Sequence, residues 1–152
     1  MRRSSMVAMT AALVSILVFP MAAQADSTNH SQHIALAPVG DAPLQSGFVE
    51  NIHANGPNVF AHEVYVVNGG VPGTSFQVTI LLFPLDPSCS SSPLALPTAT
   101  LDTNAAGNGQ AQAFFTPADA AALRHATHGA IWQLAVGGVA VYQTACTTIV
   151  LD

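Results

Sequence analysis

Thr74–Phe83, TSFQVTILLF, is the stretch of this chain whose reading decides the fold. Phe76, Val78, Ile80 and Leu82 alternate there with Ser75, Gln77 and Thr79. A period of two sends successive side chains to opposite faces of a strand, so one face meets a core and the other meets water.

Runs of similar composition lie on both sides. His33–Ala37 and Ser46–His53 come before the turn Ala54-Asn55-Gly56-Pro57, and Asn58–Val67 comes before Asn68-Gly69-Gly70, whose Asn-Gly pair tolerates the positive φ of a tight hairpin. Pro84–Pro97 carries four prolines and four serines and reads as a surface loop. Thr98–Thr103 and Gln110–Phe115 flank Asn104–Gly109 as a hairpin. Thr116-Pro117-Ala118-Asp119 combines a capping hydroxyl, a proline at the first helical position and an acid in the first turn, which predicts one short helix from about Pro117 to Arg124. Gly129–Val136 and Val139–Leu151 close the chain across Gly137-Gly138. With about seven to eight strands, one helix and no strand–helix alternation, the expectation is an all-β antiparallel sandwich in preference to a barrel.

Thr98–Phe115, TATLDTNAAGNGQAQAFF, resembles the strand-turn-strand of bacterial immunoglobulin-like modules of secreted or surface proteins. That resemblance implies an immunoglobulin-like sandwich. Tyr142 stands four residues before Cys146, whereas the tyrosine corner of immunoglobulin domains stands two before the cysteine.

The N-terminus supplies an address. Arg2 and Arg3, the apolar run Met6–Phe19, Pro20 and the small-x-small site Ala23-Gln24-Ala25 read as a cleavable signal peptide over 1–25. A flexible polar stretch over 26–32 and a single domain over 33–152 are expected to follow, in a secreted, extracellular or periplasmic protein. The twin arginine is not followed by the bulky apolar continuation that folded-state export usually wants. Cleavage leaves Arg124 as the only basic residue against eight acidic ones, a net charge of −7 with neutral histidines. Nucleic-acid binding draws its affinity from Lys and Arg, which excludes that class, and the same deficit excludes polybasic docking to lipid. No second apolar run of membrane-spanning length follows the signal.

Among residues that carry chemistry, Cys89 and Cys146 are the only cysteines, and in an oxidising compartment they are expected to be bonded to each other. His30/His33 and His125/His128 are spaced by three, which places two imidazoles on one face of a helix. A Zn or Cu site built from His125, His128 and one of His53 or His62 is therefore an alternative, although no cofactor is required by the sequence. His62 is read as sharing the inward face with Phe60, Val64 and Val66, with Glu63 on the opposite face, while Tyr65 and Phe114 are candidates for an outward aromatic pair. Phe48, Phe60, Phe76, Phe115 and Trp132 are assigned to the core. Asn29-His30-Ser31 is a glycosylation sequon of consequence only in a host that modifies it.

No G-x-S-x-G, H-E-x-x-H or P-loop is present. A Ser/His125/Asp119 constellation or a Glu50/Glu63 carboxylate pair can be drawn without any local motif to support it. The leading expectation is a non-enzymatic binding or structural module with a protein or glycan ligand. A metal-binding protein is second and a hydrolase without a motif third. Edge strands without lysines also leave self-association open.

Overall fold

The protein is described from a computed structural model covering residues 30–53 and 58–151. The signal peptide over 1–25 lies outside the described residues. The chain is all-β and antiparallel, with one four-residue helix.

Nine strands are formed among the described residues: β1 (His30–Pro38), β2 (Ser46–His53), β3 (Ala61–Asn68), β4 (Ser75–Phe83), β5 (Leu94–Asp102), β6 (Gly109–Phe115), β7 (Ala126–Val136), β8 (Val139–Thr144) and β9 (Thr147–Leu151). The helix α1 (Pro117–Ala120) lies between β6 and β7. Their hydrogen-bonded order is β5-β4-β7-β8-β1-β2-β3-β6, with β9 continuing the β8 side of β7. The sheet curls until its terminal strands β5 and β6 lie side by side, nearly closing a barrel, yet no backbone ladder joins those two among the described residues. Counted across that seam, β3–β6 form a Greek key in spatial order β3-β6-β5-β4.

β1 fastens the two halves together. Its first part, through Ala35, pairs with β2, and Leu36–Pro38 pair with β8. This changes the expected boundary, because His30–Gln32, read as flexible, are paired with His53–Asn51 and belong to the sheet. Polar side chains do not prevent a strand when its backbone groups find a partner ladder.

Other boundaries moved for identifiable reasons. Leu94–Pro97, assigned to the Ser/Pro loop, belong to β5, where a bulge opposite Val78/Thr79 accommodates Pro97 and Thr98. A bulge at a sheet edge is where a strand tolerates a residue with no N–H to donate. The helix stops at Ala120 instead of Arg124, and a turn through a left-handed His125 (φ 60°) sends the chain into β7 three residues earlier than expected. The last strand is broken at Ala145-Cys146 into β8 and β9.

The interior is filled by the alternation that the Thr74–Phe83 stretch announces. Phe76, Val78, Ile80 and Leu82 are all buried, with Trp132 and Leu134 opposite them on β7. Each such side chain contributes about 1.5–3 kcal/mol on burial. One end of the interior is plugged by Tyr142, which is fully buried, donates to Pro43 O at 2.7 Å and accepts from Val71 N–H at 2.7 Å. The other end is covered by α1 and the β4–β5 loop.

That loop is tied to itself by one carboxylate and held on the barrel by two further features. The Asp86 carboxylate accepts from the backbone N–H groups of Ser88, Ser90 and Ser91 and from the hydroxyls of Ser88 and Ser90. These bonds, the Ser88 hydroxyl foremost, hold its carboxyl well below the usual range. Gly129 lets the loop approach β7, since a Cβ there would stand 2.4 Å from Asp86 O and 2.7 Å from Cys89 Sγ. Finally, Cys89 is disulfide-bonded to Cys146, with the Cα atoms 6.0 Å apart. The bond ties the loop to the break between β8 and β9. Converting both cysteines to serine is expected to lower the unfolding free energy by about 4 kcal/mol, the chain-entropy value for a loop of this length, as measured by urea denaturation of the double variant.

Candidate functional site

Alternation along β2 and β3 puts polar groups into the α1 end of the interior. On β2 the inward residues are Val49, Asn51 and His53; on β3 they are Ala61, Glu63, Tyr65 and Val67. Register pairs Asn51 directly with Glu63 and His53 with Ala61. The face expected for β3 is thus reversed. Glu63 and Tyr65 point inward, Tyr65 is fully buried, and His62, Val64 and Val66 are on the half-buried outer face. Valine on both faces made the two registers equally apolar by composition. The side that wins lies opposite the large core residues of β4 and β7.

The pocket at this end has a volume of about 520 Å³, its open mouth included. Asn51, His53, Glu63 and Trp132 line it together with the apolar side chains of Phe60, Ile80, Leu82, Ile149 and Leu151. Leu96 of β5, Phe115 of β6 and Asp119, Ala120 and Leu123 of the α1 segment complete the wall. Leu96 is 38% exposed, placing the β5–β6 seam at the mouth.

Glu63 is 3% exposed. Burial pushes its carboxyl up from an ordinary 4.5 to about 7, against the opposing pull of the Tyr65 hydroxyl and the Trp132 indole. The Tyr65 hydroxyl donates to Oε2 of Glu63 and lies 2.8 Å from Thr98 Oγ1, so a hydrogen-bonded chain runs from the buried carboxyl to the bulge on β5. Burial, and then the Glu63 charge, hold the proton on Tyr65. Trp132 Nε1–H approaches the carboxyl closely enough to favour its charge but closes no hydrogen bond, and it is buried. The Asn51 side chain, also 3% exposed, lines the same pocket beside Glu63. Buried polar groups are ordinarily paired, so the open indole N–H stands out.

The cover of the pocket hangs on His128. This residue is 1% exposed; its Nδ1 accepts from Leu85 N–H at 3.1 Å and its Nε2 lies 2.8 Å from Leu123 O, the geometry of a neutral imidazole protonated at Nε2. Asp119 closes the start of α1 by accepting from Thr116 N–H at 2.7 Å and from its hydroxyl at 2.8 Å. The Thr116 backbone N–H, and then the hydroxyl, lower its carboxyl below the usual range.

The four histidines considered as metal ligands lie in different settings. His53 stacks on Phe60 inside the pocket, with ring centroids 5.9 Å apart. His62 stacks on the exposed Phe114 at 4.2 Å on the outside. His125 is exposed in the turn before β7, and both ring nitrogens of His128 are engaged. Among the described residues no three His, Cys, Asp or Glu side chains converge in a metal-binding group. Glu50 faces outward against His33 at 2.9 Å, so it and the inward Glu63 stand on opposite faces of the sheet. Asn51 was legible only as a strand residue and Trp132 only as a core residue, and the one signal that could have found them was the juxtaposition of polar residues on neighbouring strands facing a tryptophan.

The raised Glu63 has a stability consequence of definite sign. A carboxyl whose folded-state pKa lies above its unfolded value favours folding when protonated, so its contribution is full below about 4.5 and is lost as pH rises through about 7. Wild-type stability relative to Glu63→Gln is expected to fall by on the order of 3 kcal/mol between pH 4.5 and pH 8, measured by urea denaturation across that range.

Compared with protein-family models, curated proteins and solved structures, the chain matches none of them.

Proposed function

We propose that this is an exported, non-enzymatic binding module whose ligand occupies the interior pocket under α1. The observation that carries this reading is an apolar cavity with an open mouth whose wall includes the buried Asn51 amide, the buried Glu63 carboxyl and the unpartnered Trp132 indole N–H. Cavities of this kind, mostly apolar with a few convergent polar groups, are the usual form of small-molecule sites.

Export is supported by the signal-like residues 1–25 and by the Cys89–Cys146 bond, which fits an oxidising compartment. No helix among the described residues is long and apolar enough to cross a membrane. The likeness of Thr98–Phe115 to bacterial immunoglobulin-like modules agrees with such a role, although its two strands, expected as a hairpin, pair with β4 and β3 and not with each other. A binding role also fits the polar groups themselves. The Asp119 carboxylate is occupied by the Thr116 N–H and hydroxyl.

The test is a thermal-shift screen of small apolar molecules, with Leu96→Trp as control. Leu96 is partly exposed at the mouth, so a larger side chain there blocks entry while leaving the core packed. A ligand at about 100 times its Kd stabilises the wild type by about 2.7 kcal/mol, and Leu96→Trp is expected to abolish the shift. Turnover of ester, peptide or glycan substrates, lost in Glu63→Gln, would replace this reading with an enzymatic one.

A further inference from the structure

Resting on the binding function just proposed, we infer that the pocket selects a small neutral molecule with an apolar body and one hydroxyl or carbonyl oxygen. The argument is a count of donors and charges on its wall.

One buried donor waits there, with an amide on the same pocket's lining. Trp132 Nε1–H is buried without a hydrogen-bond partner, and Asn51, whose amide can offer two N–H bonds, lines the same pocket. Leaving a buried donor unmade costs about 1–3 kcal/mol, so a guest that brings an acceptor gains more than one that does not. An ammonium group has donors only and leaves the indole N–H unmet. A pure hydrocarbon leaves it unmet as well.

Charge removes another class. No Lys or Arg lines the pocket, while Glu63 and Asp119 do. Arg124, the only basic residue after Arg3, sits over the ring of Phe60, 5.2 Å from its centroid. A carboxylate guest would therefore meet a carboxyl and, among the described residues, no lysine or arginine at the wall, in a setting where an unpaired buried charge is costly. What remains is a neutral oxygen acceptor. A hydroxyl suits the site further, because it can donate to Glu63 while accepting from the indole or the amide. The rest of the wall, including Ile80, Leu82 and Phe115, takes the apolar body.

Trp132 is the only tryptophan, so its indole N–H gives one resonance that reports on the site directly. The experiment titrates the full exported chain, 15N-labelled, at pH 6.5 with five guests of one shape: benzyl alcohol, acetophenone, toluene, benzylammonium and benzoate. Benzyl alcohol and acetophenone are expected to move the indole resonance downfield and to bind about tenfold tighter than toluene, the equivalent of one hydrogen bond of about 1.4 kcal/mol. Benzylammonium and benzoate are expected to bind at least tenfold more weakly than benzyl alcohol. Asn51→Leu, which keeps the volume and removes the amide, is expected to reduce the preference of alcohol over toluene while retaining toluene.

Toluene binding as tightly as benzyl alcohol, or either ion binding as tightly, overturns the selectivity and leaves the pocket as a binding site. Failure of all five guests to perturb Trp132 overturns the binding function itself.

Discussion

A carboxyl group withdrawn from water needs hydrogen-bond partners or a proton, and the interior around Glu63 is arranged to supply both. Tyr65 donates to it from two residues along the same strand, Thr98 supports Tyr65 from the bulge on β5, and Trp132 approaches from the opposite wall. The dependence runs outward from there. The bulge that lets β5 carry Pro97 also brings the Thr98 hydroxyl within reach of Tyr65. At the seam where β5 and β6 lack a backbone ladder, this side-chain bond helps to hold the barrel closed. Buried ionisable groups are expensive in stability and are concentrated at functional sites, which is why the polar cluster outweighs any surface feature as a guide to what the protein does.

The two ends of the barrel are finished differently. Tyr142 seals one with a pair of short hydrogen bonds to Pro43 and Val71. The other is covered by elements with little structure of their own, a one-turn helix and a Ser/Pro loop. These elements are held by His128 and the disulfide, and not by strand pairing. Segments held by a few discrete contacts open at lower free energy than the sheet they rest on. This end can therefore open without unfolding the core.

Most of the strands could be read in advance because a half-buried strand declares itself by alternation, as Phe76 to Leu82 do. The cysteine pairing followed from there being only two. The site was harder to read for a physical reason. Along AHEVYVVN both faces carry valine and both carry a polar residue, so periodicity alone does not choose between Glu63 and His62 as the inward one. The choice is made by what stands opposite, namely Trp132 and Ile80 on the far wall, which is long-range information. The loop boundary failed similarly. Pro97 reads locally as a strand breaker, and only its position on the terminal strand, next to a bulge, makes it compatible with pairing.

The pairing of β1 with β8 bears on when, as well as how, the chain folds. Leu36–Pro38 meet Thr144–Tyr142, almost the full length of the domain away in sequence, and β7 must already lie beside β4 for β8 to be in place. Contacts of such separation come at the end of a slow, topology-limited search. The sheet cannot be completed while the C-terminal strands are still being made. A chain with this connectivity keeps its native sheet open until its last strands, β8 and β9, are present.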